Sequence, residues 1–308
     1  MNLEVFVLGT GGMMPLPGRG LTSVLVRREG DLFLFDCGEG TQIGLRRLNL
    51  RWKKITSIFI SHTHADHVTG LPGILMLSSQ VDRADPLYIY GPPKIREFVE
   101  AMRRTLDMYI NYESVVREIE GGTPIVRAEE YSICSHSLVH TKPCLAYSLV
   151  ENVRPGVFFP EKALALGVPR GPLWSKLQGG EVVRLPDGVV VTPSQVMGVE
   201  RKGRKFCFAT DTVAAPGLVE FARKSDLFIC EGMFAEELAE TAAEKKHLTA
   251  AQAARIARES GVKRMGLIHY SPRYSERELK TLLAEAREIF PESFLTRDLQ
   301  HIELPFED

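Results

Sequence analysis

Short apolar runs alternate along the chain with longer segments in which apolar residues recur at helical spacing. The short runs predict strands at Leu3–Leu8, Thr22–Arg27, Leu32–Phe35, Ile55–Ile60, Leu87–Tyr90, Tyr131–Val139, Leu145–Val150, Phe206–Asp211, Leu227–Glu231 and Met265–His269. The longer segments predict helices at Leu71–Ser79, Ile95–Leu106, Pro216–Lys224, Ala250–Glu259 and Glu276–Ile289. Because strands and helices alternate, the pattern predicts an α/β (α+β) fold class.

Local signals mark several element boundaries. The Glu29-Gly30-Asp31 segment lies between two apolar runs and predicts a hairpin. Thr249 with Gln252, and Ser275 with Glu278, have the spacing of capping boxes and predict two helix starts.

Composition limits the classes of protein. With 308 residues and 44% hydrophobic content, the chain can bury a sizeable core. Its net charge of −1 argues against polyanion binding over the whole surface, so any nucleic-acid contact must come from a local patch. The five cysteines contain no C-x-x-C pair, which argues against a disulfide framework or a cysteine zinc site. No signal segment and no long apolar run is present, so we expect a cytoplasmic protein without a membrane span.

Side chains that can bind a metal ion are most concentrated in Ser61-His62-Thr63-His64-Ala65-Asp66-His67, directly after a predicted buried strand. Histidine is the commonest metal ligand, and a set of imidazoles and carboxylates suits Zn²⁺, with Mn²⁺ or Fe²⁺ also possible. A strand that ends in such side chains holds them at the rim of a sheet, where substrate can reach them. The segment therefore predicts a metal site.

Further ligand types end later predicted strands. His136 and His140 lie on one face if their segment is extended, and we assign His140 because it is at the strand end. With Asp211 and His269 the candidate ligands are His62, His64, Asp66, His67, His140, Asp211 and His269. Seven groups exceed one tetrahedral ion, so we predict two ions per chain with Asp211 as the bridge. One ion would take the histidines at 62, 64 and 140, and the other Asp66, His67 and His269.

Residues 151–182 differ from the rest of the chain in amino-acid composition. Glycines and prolines punctuate the segment, and between Arg154 and Arg184 five basic residues face only Glu161 and Glu181. In a chain that is nearly neutral, this local excess of positive charge predicts contact with a polyanion. The alternative is a solvated loop.

These features together resemble the metallo-β-lactamase superfamily, and within it the ribonuclease Z family of tRNA 3′-processing endonucleases. The resemblance rests on the H-x-H-x-D-H segment and on four further motifs: Phe208-Ala209-Thr210-Asp211-Thr212, His247-Leu248-Thr249, His269-Tyr270-Ser271-Pro272-Arg273-Tyr274 and Gly167-Val168-Pro169-Arg170-Gly171-Pro172-Leu173. It implies a four-layer αββα sandwich over residues 1–308, with residues 151–182 as an inserted flexible tRNA-binding arm. It also implies a homodimer.

The resemblance implies an activity as well: zinc-dependent removal of the 3′ trailer from precursor tRNA, leaving a tRNA 3′-hydroxyl and a 5′-phosphate on the trailer. Asp66 would orient or deprotonate the attacking water, His247 would protonate the departing 3′-oxygen, and Glu231 would orient His247. The expected substrate-binding residues are Arg19, Arg170, Gly171, Pro172, Lys176 and Arg273.

The first loop departs from the family pattern. The family has P-[ST]-x-x-R-N there, whereas this chain has Pro15-Leu16-Pro17-Gly18-Arg19-Gly20 and lacks the asparagine. The altered loop supports one alternative, a hydrolase of the same fold that acts on small phosphodiesters or on sulfur or carboxyl esters. A second alternative is a catalytically silent RNA-binding protein. The complete ligand set argues against the silent protein, and the basic arm argues against the small-ester hydrolase.

Overall fold

Strands form at the apolar runs, as predicted, and pair into two large sheets. The computed structural model describes residues 2–80, 83–122 and 124–306. In this part of the chain the strands are β1 Leu3–Gly9, β2 Ser23–Arg28, β3 Asp31–Phe35, β4 Ile55–Phe59, β5 Leu87–Gly91, β6 Ser114–Glu118, β7 Pro124–Arg127, β8 Tyr131–Leu138, β9 Cys144–Glu151, β10 Val183–Arg184, β11 Val190–Val191, β12 Lys205–Ala209, β13 Leu227–Glu231, β14 Met265–Ile268, β15 Ser293–Leu295 and β16 Gln300–Glu303.

Helices connect the strands and cover both sheets. They are α1 Thr41–Arg47, α2 Ala65–Val68, α3 Leu71–Ser79, α4 Ile95–Thr105, α5 Pro160–Ala165, α6 Pro172–Gln178, α7 Pro193–Val196, α8 Pro216–Ala222, α9 Ala239–Lys245, α10 Ala250–Ser260 and α11 Leu279–Ile289, with 3-10 turns at Trp52–Lys54 and Glu236–Leu238. None of the helices in the described ranges is both long and apolar enough to cross a membrane.

Each large sheet has seven strands among the described residues. The first has the order β16-β1-β2-β3-β4-β5-β6, and the second has the order β15-β14-β13-β12-β9-β8-β7. The β2–β3 pair is antiparallel with Arg28 opposite Asp31, which confirms the predicted hairpin. In the second sheet β12, β13 and β14 are parallel, so their carboxyl ends lie at the same edge.

Alternating side chains of each strand enter different cores. In β3, Phe33 and Phe35 belong to the cluster between the sheets, together with Tyr147 and Phe208 of the second sheet. Leu34 points the other way and packs with the helices α1, α3 and α4. A third cluster covers the outer face of the second sheet with α8, α10 and α11. The layers therefore run helix, sheet, sheet, helix, and the predicted αββα sandwich is confirmed.

Helix starts follow the capping signals with one shift. The Thr249 hydroxyl accepts from the backbone N–H of Gln252 at 3.1 Å, so α10 begins at Ala250 as predicted. Ser275 and Glu278 also contact each other, because the backbone N–H of Ser275 donates to the Glu278 carboxylate at 2.7 Å. The α-helix nevertheless begins at Leu279, so the prediction of a helix from Glu276 was wrong by three residues.

The described chain divides into two compact units, of which the second is Glu151–Arg204 together with Phe306. The predicted arm, 151–182, lies within this unit, which continues to Arg204. The unit has α5, α6, α7, the β10–β11 hairpin and an apolar cluster of its own that includes Ala163, Leu177 and Val191. The arm is therefore part of a small folded unit; that it is flexible and binds tRNA stays a prediction.

Charged and aromatic side chains contact one another where the segment Glu151–Arg204 of the second unit begins and ends. Arg204 donates to both carboxylate oxygens of Glu151, at 2.7 and 2.8 Å, and both side chains are buried. The guanidinium carbons of Arg154 and Arg204 lie 3.4 and 3.7 Å from the ring centroid of Phe306. We call these four residues the neck clamp.

Candidate active site

Side chains from the ends of β4, β8, β12 and β14 converge at one edge of the sandwich. His62, His64, Asp66 and His67 lie in the turn and short helix after β4, and Asp211 and His269 directly follow β12 and β14. His140 lies between β8 and β9. The structure thus brings all seven predicted ligand residues together.

The first group consists of His62, His64, His140 and Asp211. The Nε2 of His62 and the Nδ1 of His64 are 2.8 Å apart, and the Nε2 of His140 is 3.3 Å from the same Nδ1. The Oδ2 of Asp211 lies 3.5 Å from the Nε2 of His62 and 3.6 Å from that of His140.

The second group consists of Asp66, His67 and His269. The Nε2 atoms of His67 and His269 are 3.1 Å apart, and the Oδ2 of Asp66 is 3.3 Å from His269 and 3.6 Å from His67. The other carboxylate oxygen of Asp211, Oδ1, lies 3.4 Å from both Nε2 atoms. Asp211 therefore presents one oxygen to each group.

These separations fit a cation in each group. Ligand atoms about 2.1 Å from a tetrahedral Zn²⁺ stand about 3.4 Å apart, close to the observed spacing. The Oδ1 of Asp211 is buried and has no hydrogen-bond partner among the described residues. An anionic oxygen in that position needs a positive charge, which a metal ion supplies.

Protein acceptors fix the outer nitrogens of three imidazoles. His67 donates from Nδ1 to Asp36 at 2.7 Å, and His140 donates from Nδ1 to the carbonyl of Lys246 at 2.9 Å. The Ser61 hydroxyl donates to Asp36 at 2.8 Å and lies 3.0 Å from the Nδ1 of His62. Each of these rings therefore turns its Nε2 toward the ligand groups, as metal-binding histidines do.

Burial and charge set the protonation states of the rings. Burial lowers the pKa of His62, His64 and His140, which keeps these imidazoles neutral and able to bind a cation. Burial alone would raise the pKa of the Asp211 carboxyl, but the surrounding histidines hold this pKa well below its usual range. The carboxylate is therefore ionised.

The backbone is strained at three of these positions. The φ angles of Asp36, Asp211 and His269 are 55°, 39° and 63°. Residues other than glycine rarely adopt this left-handed region of backbone conformation. Such strain persists only where the surrounding structure enforces it. It turns these side chains toward the ligand groups at the ends of their strands.

His247 lies beside the ligands on the loop before α10. Its Nδ1 is 3.1 Å from the Oε2 of Glu231, and the Oε1 of Glu231 accepts from the backbone N–H of Thr212 at 2.6 Å. Burial alone would lower the pKa of His247, but the carboxylates of Glu231 and Asp211 raise it to about 9. The ring is therefore cationic near neutral pH and has a proton to give.

The loop after β1 closes one side of the site, a contact that the sequence analysis missed. The backbone N–H of Met13 donates to the Oδ2 of Asp66 at 2.7 Å. A Cβ at Gly12 would lie 2.6 Å from Cε1 of His269, so only glycine fits there. The Gly-Thr-Gly-Gly segment is the signal that could have indicated this close approach.

Two other histidines lie outside the ligand groups. His136 is stacked on Phe221, with ring centroids 5.2 Å apart, in keeping with its exclusion as a ligand. His301 has its Nε2 2.9 Å from the Oε1 of Glu4 across the β1–β16 pair. This partner could not be predicted from the sequence, because only strand pairing brings the two residues together.

Arg19 and Arg273, predicted to bind substrate, differ in placement. The Arg19 guanidinium is buried and donates to the Tyr274 carbonyl at 3.0 Å and to Glu276 at 2.6 Å. These are contacts within the protein, so Arg19 braces the first loop against the segment before α11. Arg273 is exposed, and its guanidinium carbon lies 5.0 Å from the ring centroid of Phe234, which in turn packs near His247.

The remaining predicted contacts lie on the second unit. Arg170, Gly171, Pro172 and Lys176 are all exposed, and Pro172 starts α6. Gly171 has φ of 144°, which glycine alone adopts without strain. The guanidinium of Arg170 lies 5.9 Å from the ring centroid of Trp174.

Comparison with known proteins defines the class. Residues 183–270 match the family described as beta-lactamase superfamily domain, and residues 3–114 match the family described as anti-Pycsar protein Apyc1. The structure is similar to the metallo-beta-lactamase fold protein YhfI from Bacillus subtilis, with a TM-score of 0.69 and 18% identity over 98% of this chain and 100% of that one. The fold is thus that of a metallo-β-lactamase superfamily protein.

The sequence narrows the class to one family. The chain is 62% identical to ribonuclease Z of Treponema denticola over 308 residues, all of both chains. It is also similar to human tRNase Z, short form, with a TM-score of 0.72 and 27% identity over 98% of this chain and 100% of that one. The chain belongs to the ribonuclease Z family of hydrolytic endoribonucleases, which confirms the resemblance found in the sequence.

Proposed function

We propose that the protein removes the 3′ trailer from precursor tRNA by zinc-dependent hydrolysis, leaving a tRNA 3′-hydroxyl and a 5′-phosphate on the trailer. The observation that supports this most directly is the pair of ligand groups joined by Asp211, in a chain that is 62% identical to a ribonuclease Z. We further propose that the protein acts as a cytoplasmic homodimer, as the family resemblance implies.

We assign two Zn²⁺ per chain, with Mn²⁺ or Fe²⁺ as alternatives. His62, His64, His140 and Asp211 would hold one ion, and Asp66, His67, His269 and Asp211 the other. When bound, such ions lower the pKa of a water molecule and offset the charge that develops on the phosphate. Imidazole nitrogens together with carboxylate oxygens are donors that suit Zn²⁺.

The protein's own groups position the water and transfer protons. Asp66, held by the N–H of Met13 and next to His269, orients the attacking water and accepts its proton. His247 is cationic and gives its proton to the departing 3′-oxygen of the tRNA. Glu231 accepts from Nδ1 of His247 and so holds the ring in place, because its other oxygen is fixed by the N–H of Thr212.

The second unit is proposed to bind the body of the tRNA. Arg170, just before α6, and Lys176, in its last turn, are both exposed, and Gly171 and Pro172 form the turn that leads into the helix. Such cations contact phosphates and position the substrate without taking part in the chemistry. Arg273, beside the site, would contact the acceptor end.

The experiment that tests this function compares two substrates in an arm-deletion variant. Joining Gly156 to Val199 through a short Gly-Ser turn removes the arm but keeps the neck, where the Arg154 N–H donates to the Arg201 carbonyl at 2.8 Å. We expect KM for 3′-extended precursor tRNA to rise at least about tenfold, since several phosphate contacts are lost. Hydrolysis of bis(p-nitrophenyl) phosphate, which reaches no arm residue, should stay within about twofold of the parent protein.

A matched point variant guards against a folding defect. Arg170→Gln/Lys176→Gln keeps the backbone of α6 and should flatten the salt dependence of precursor binding by about one unit of slope per lost contact. Precursor cleavage at unchanged KM and salt slope in both variants would favour the small-ester hydrolase. Mapping of the cut to any position other than the start of the trailer would also contradict the proposal.

A further inference from the structure

A groove of about 900 Å³ runs along β15 and β16, the edge strands of the two sheets, and none of the predicted ligand residues lines it. One wall is α11, where Lys280, Leu283 and Arg287 lie on one face at helical spacing. The other wall is β16, and Phe294 of β15 contributes to the floor. The groove has no part in the mechanism described above.

The groove is strongly basic. Its charged lining residues are Arg264, Lys280, Arg287, Arg297 and Glu303, and His301 lies beside them. Four cations thus face a single carboxylate in a chain whose net charge is −1. The nearby Glu4 does not cancel this excess, because Arg27 donates to both of its oxygens at 2.7 Å. Such a local excess of positive charge attracts phosphates.

Strand register places one end of the groove at the site. Strand β15 runs parallel to β14, which leads to His269, and β16 runs back antiparallel to β1. The turn between β15 and β16 therefore lies at the same edge as the ligands. Within this turn Asp298 accepts from Thr10 at 2.7 Å and from the N–H of Gly20 at 2.6 Å, which joins it to the first loop.

We propose that this groove binds the single-stranded 3′ trailer as it leaves the site, an inference that rests on the proposed function. The cations would contact trailer phosphates, and the apolar floor formed by Leu283 and Phe294 would take unpaired bases. Bases in a duplex hide their flat faces, whereas unpaired bases offer them to apolar and aromatic side chains. The groove therefore suits a single strand and leads it away from the cut.

The test uses the full chain and a labelled ten-nucleotide single-stranded RNA. Lys280→Gln/Arg297→Gln removes two exposed cations, and the control Lys54→Gln/Arg104→Gln removes two exposed cations elsewhere. Arg104 lies in α4, which packs against β6 at the opposite edge of the first sheet. By fluorescence anisotropy, the slope of log K against log salt should fall by about 1.4 in the groove variant and stay unchanged in the control.

Cleavage gives a second readout. The ratio of kcat/KM for a precursor with a ten-nucleotide trailer to that for a one-nucleotide trailer should fall about tenfold in the groove variant and not in the control. The single variants Lys280→Gln and Arg297→Gln should each show about half the change in salt slope.

An unchanged salt slope together with an unchanged ratio of kcat/KM would overturn the proposal. The cations would then serve only to prevent the edge strands from pairing with other chains. An equal loss in the control would overturn it too. If the groove variant loses RNA binding while neither the parent protein nor any variant cuts precursor tRNA, the proposed function fails and the trailer with it, and the groove stands only as a binding site for single-stranded RNA. If the parent protein cuts precursor tRNA but the ratio of kcat/KM for the two trailer lengths is the same in the groove variant as in the parent, the groove fails and the function stands.

Discussion

Asp211 is the residue on which the two ligand groups meet. Its two oxygens face different groups, its backbone is in the left-handed region, and its Oδ1 is buried without a hydrogen-bond partner among the described residues. A single side chain thus joins the two proposed ion sites, and among the described residues it is the one carboxylate of the first group.

Asp211→Ala should lower metal content to one ion or fewer per chain and reduce activity on both RNA and a nitrophenyl ester by at least roughly 10³-fold, because charge stabilisation at the phosphate is lost. Elemental analysis and both assays check this. The control is Asp107→Ala, an exposed aspartate that also has positive φ, 46°, and so carries a similar backbone change. Two bound ions in Asp211→Ala would contradict the bridging assignment.

His247→Gln should affect the two substrates unequally. A general acid typically contributes about 10²–10⁴-fold when the leaving group is a ribose oxygen, and little when it is nitrophenolate, which leaves without a proton. We therefore expect a large fall in kcat for precursor tRNA and a small one for bis(p-nitrophenyl) phosphate. His136→Gln, at a half-buried histidine away from the ligands, should change neither. Equal losses on both substrates in His247→Gln would exclude the role.

For individual residues, the sequence predicted which candidate ligand side chains lie together, because their close spacing and their positions at strand ends already limit where they can be. It did not predict the contacts that depend on three-dimensional packing. The N–H of Met13 and the carbonyl of Lys246 are backbone groups, which no residue type reveals. Arg19 looked like a substrate contact, yet the fold turns it inward to Glu276.

Among the elements, the neck clamp is the feature that the sequence least revealed. Glu151 and Arg204 pair at the two ends of the second unit, and Phe306 comes from far along the chain to lie against Arg154 and Arg204. Guanidinium groups over an aromatic ring contribute about 0.5–2 kcal/mol each. The neck clamp therefore holds together the two ends of the segment Glu151–Arg204, from which the arm extends.

Phe306→Ala should loosen the neck and leave the ligand groups intact. We expect amide hydrogen exchange at residues 151–154 and 201–204 to rise about tenfold, and KM for precursor tRNA to rise several-fold, since an arm with a looser base binds with a larger entropic loss. Phe306→Tyr keeps the ring and should restore both values. Unchanged exchange in Phe306→Ala would show that the ring does not hold the neck.

The elements themselves were predicted well where hydrophobic periodicity is strong. Strands β2 and β3 and helix α3 formed where expected, because their apolar residues fill one core or another. The β10–β11 hairpin of the second unit was not expected, since its strands have only two residues each. Such short strands carry no periodicity, and the apolar cluster of the unit holds them in place.

At the scale of the whole molecule, the ligand groups link the two sheets. His62, His64 and His67 follow a strand of the first sheet, whereas Asp211 and His269 follow strands of the second. An ion held by both sets is a cross-link between the layers. Metal should therefore contribute to the stability of the sandwich as well as to activity.

Removal of metal by chelation should lower the melting temperature by about 10 °C or more. An ion present at a thousand times its Kd adds about 4 kcal/mol to folding, and each kcal/mol shifts Tm by about 2–4 °C in a domain of this size. Calorimetry before and after EDTA treatment, followed by addition of Zn²⁺, measures the shift and its recovery. Asp211→Ala should show a smaller shift, and an equal shift would indicate that metal stabilises the protein elsewhere.

The pairing of β1 with β16 has a consequence for synthesis. Strand β1 leaves the ribosome well before β16, one of its two neighbours in the sheet, because the chain from Gly9 to Gln300 lies between them. At translation rates of about 5–20 residues per second, the edge of β1 stays open for roughly 15–60 s. An open edge of apolar residues such as Val5 and Val7 can pair with other nascent chains. We therefore expect the growing polypeptide to need chaperones, or delayed folding of the first sheet, until β16 is made.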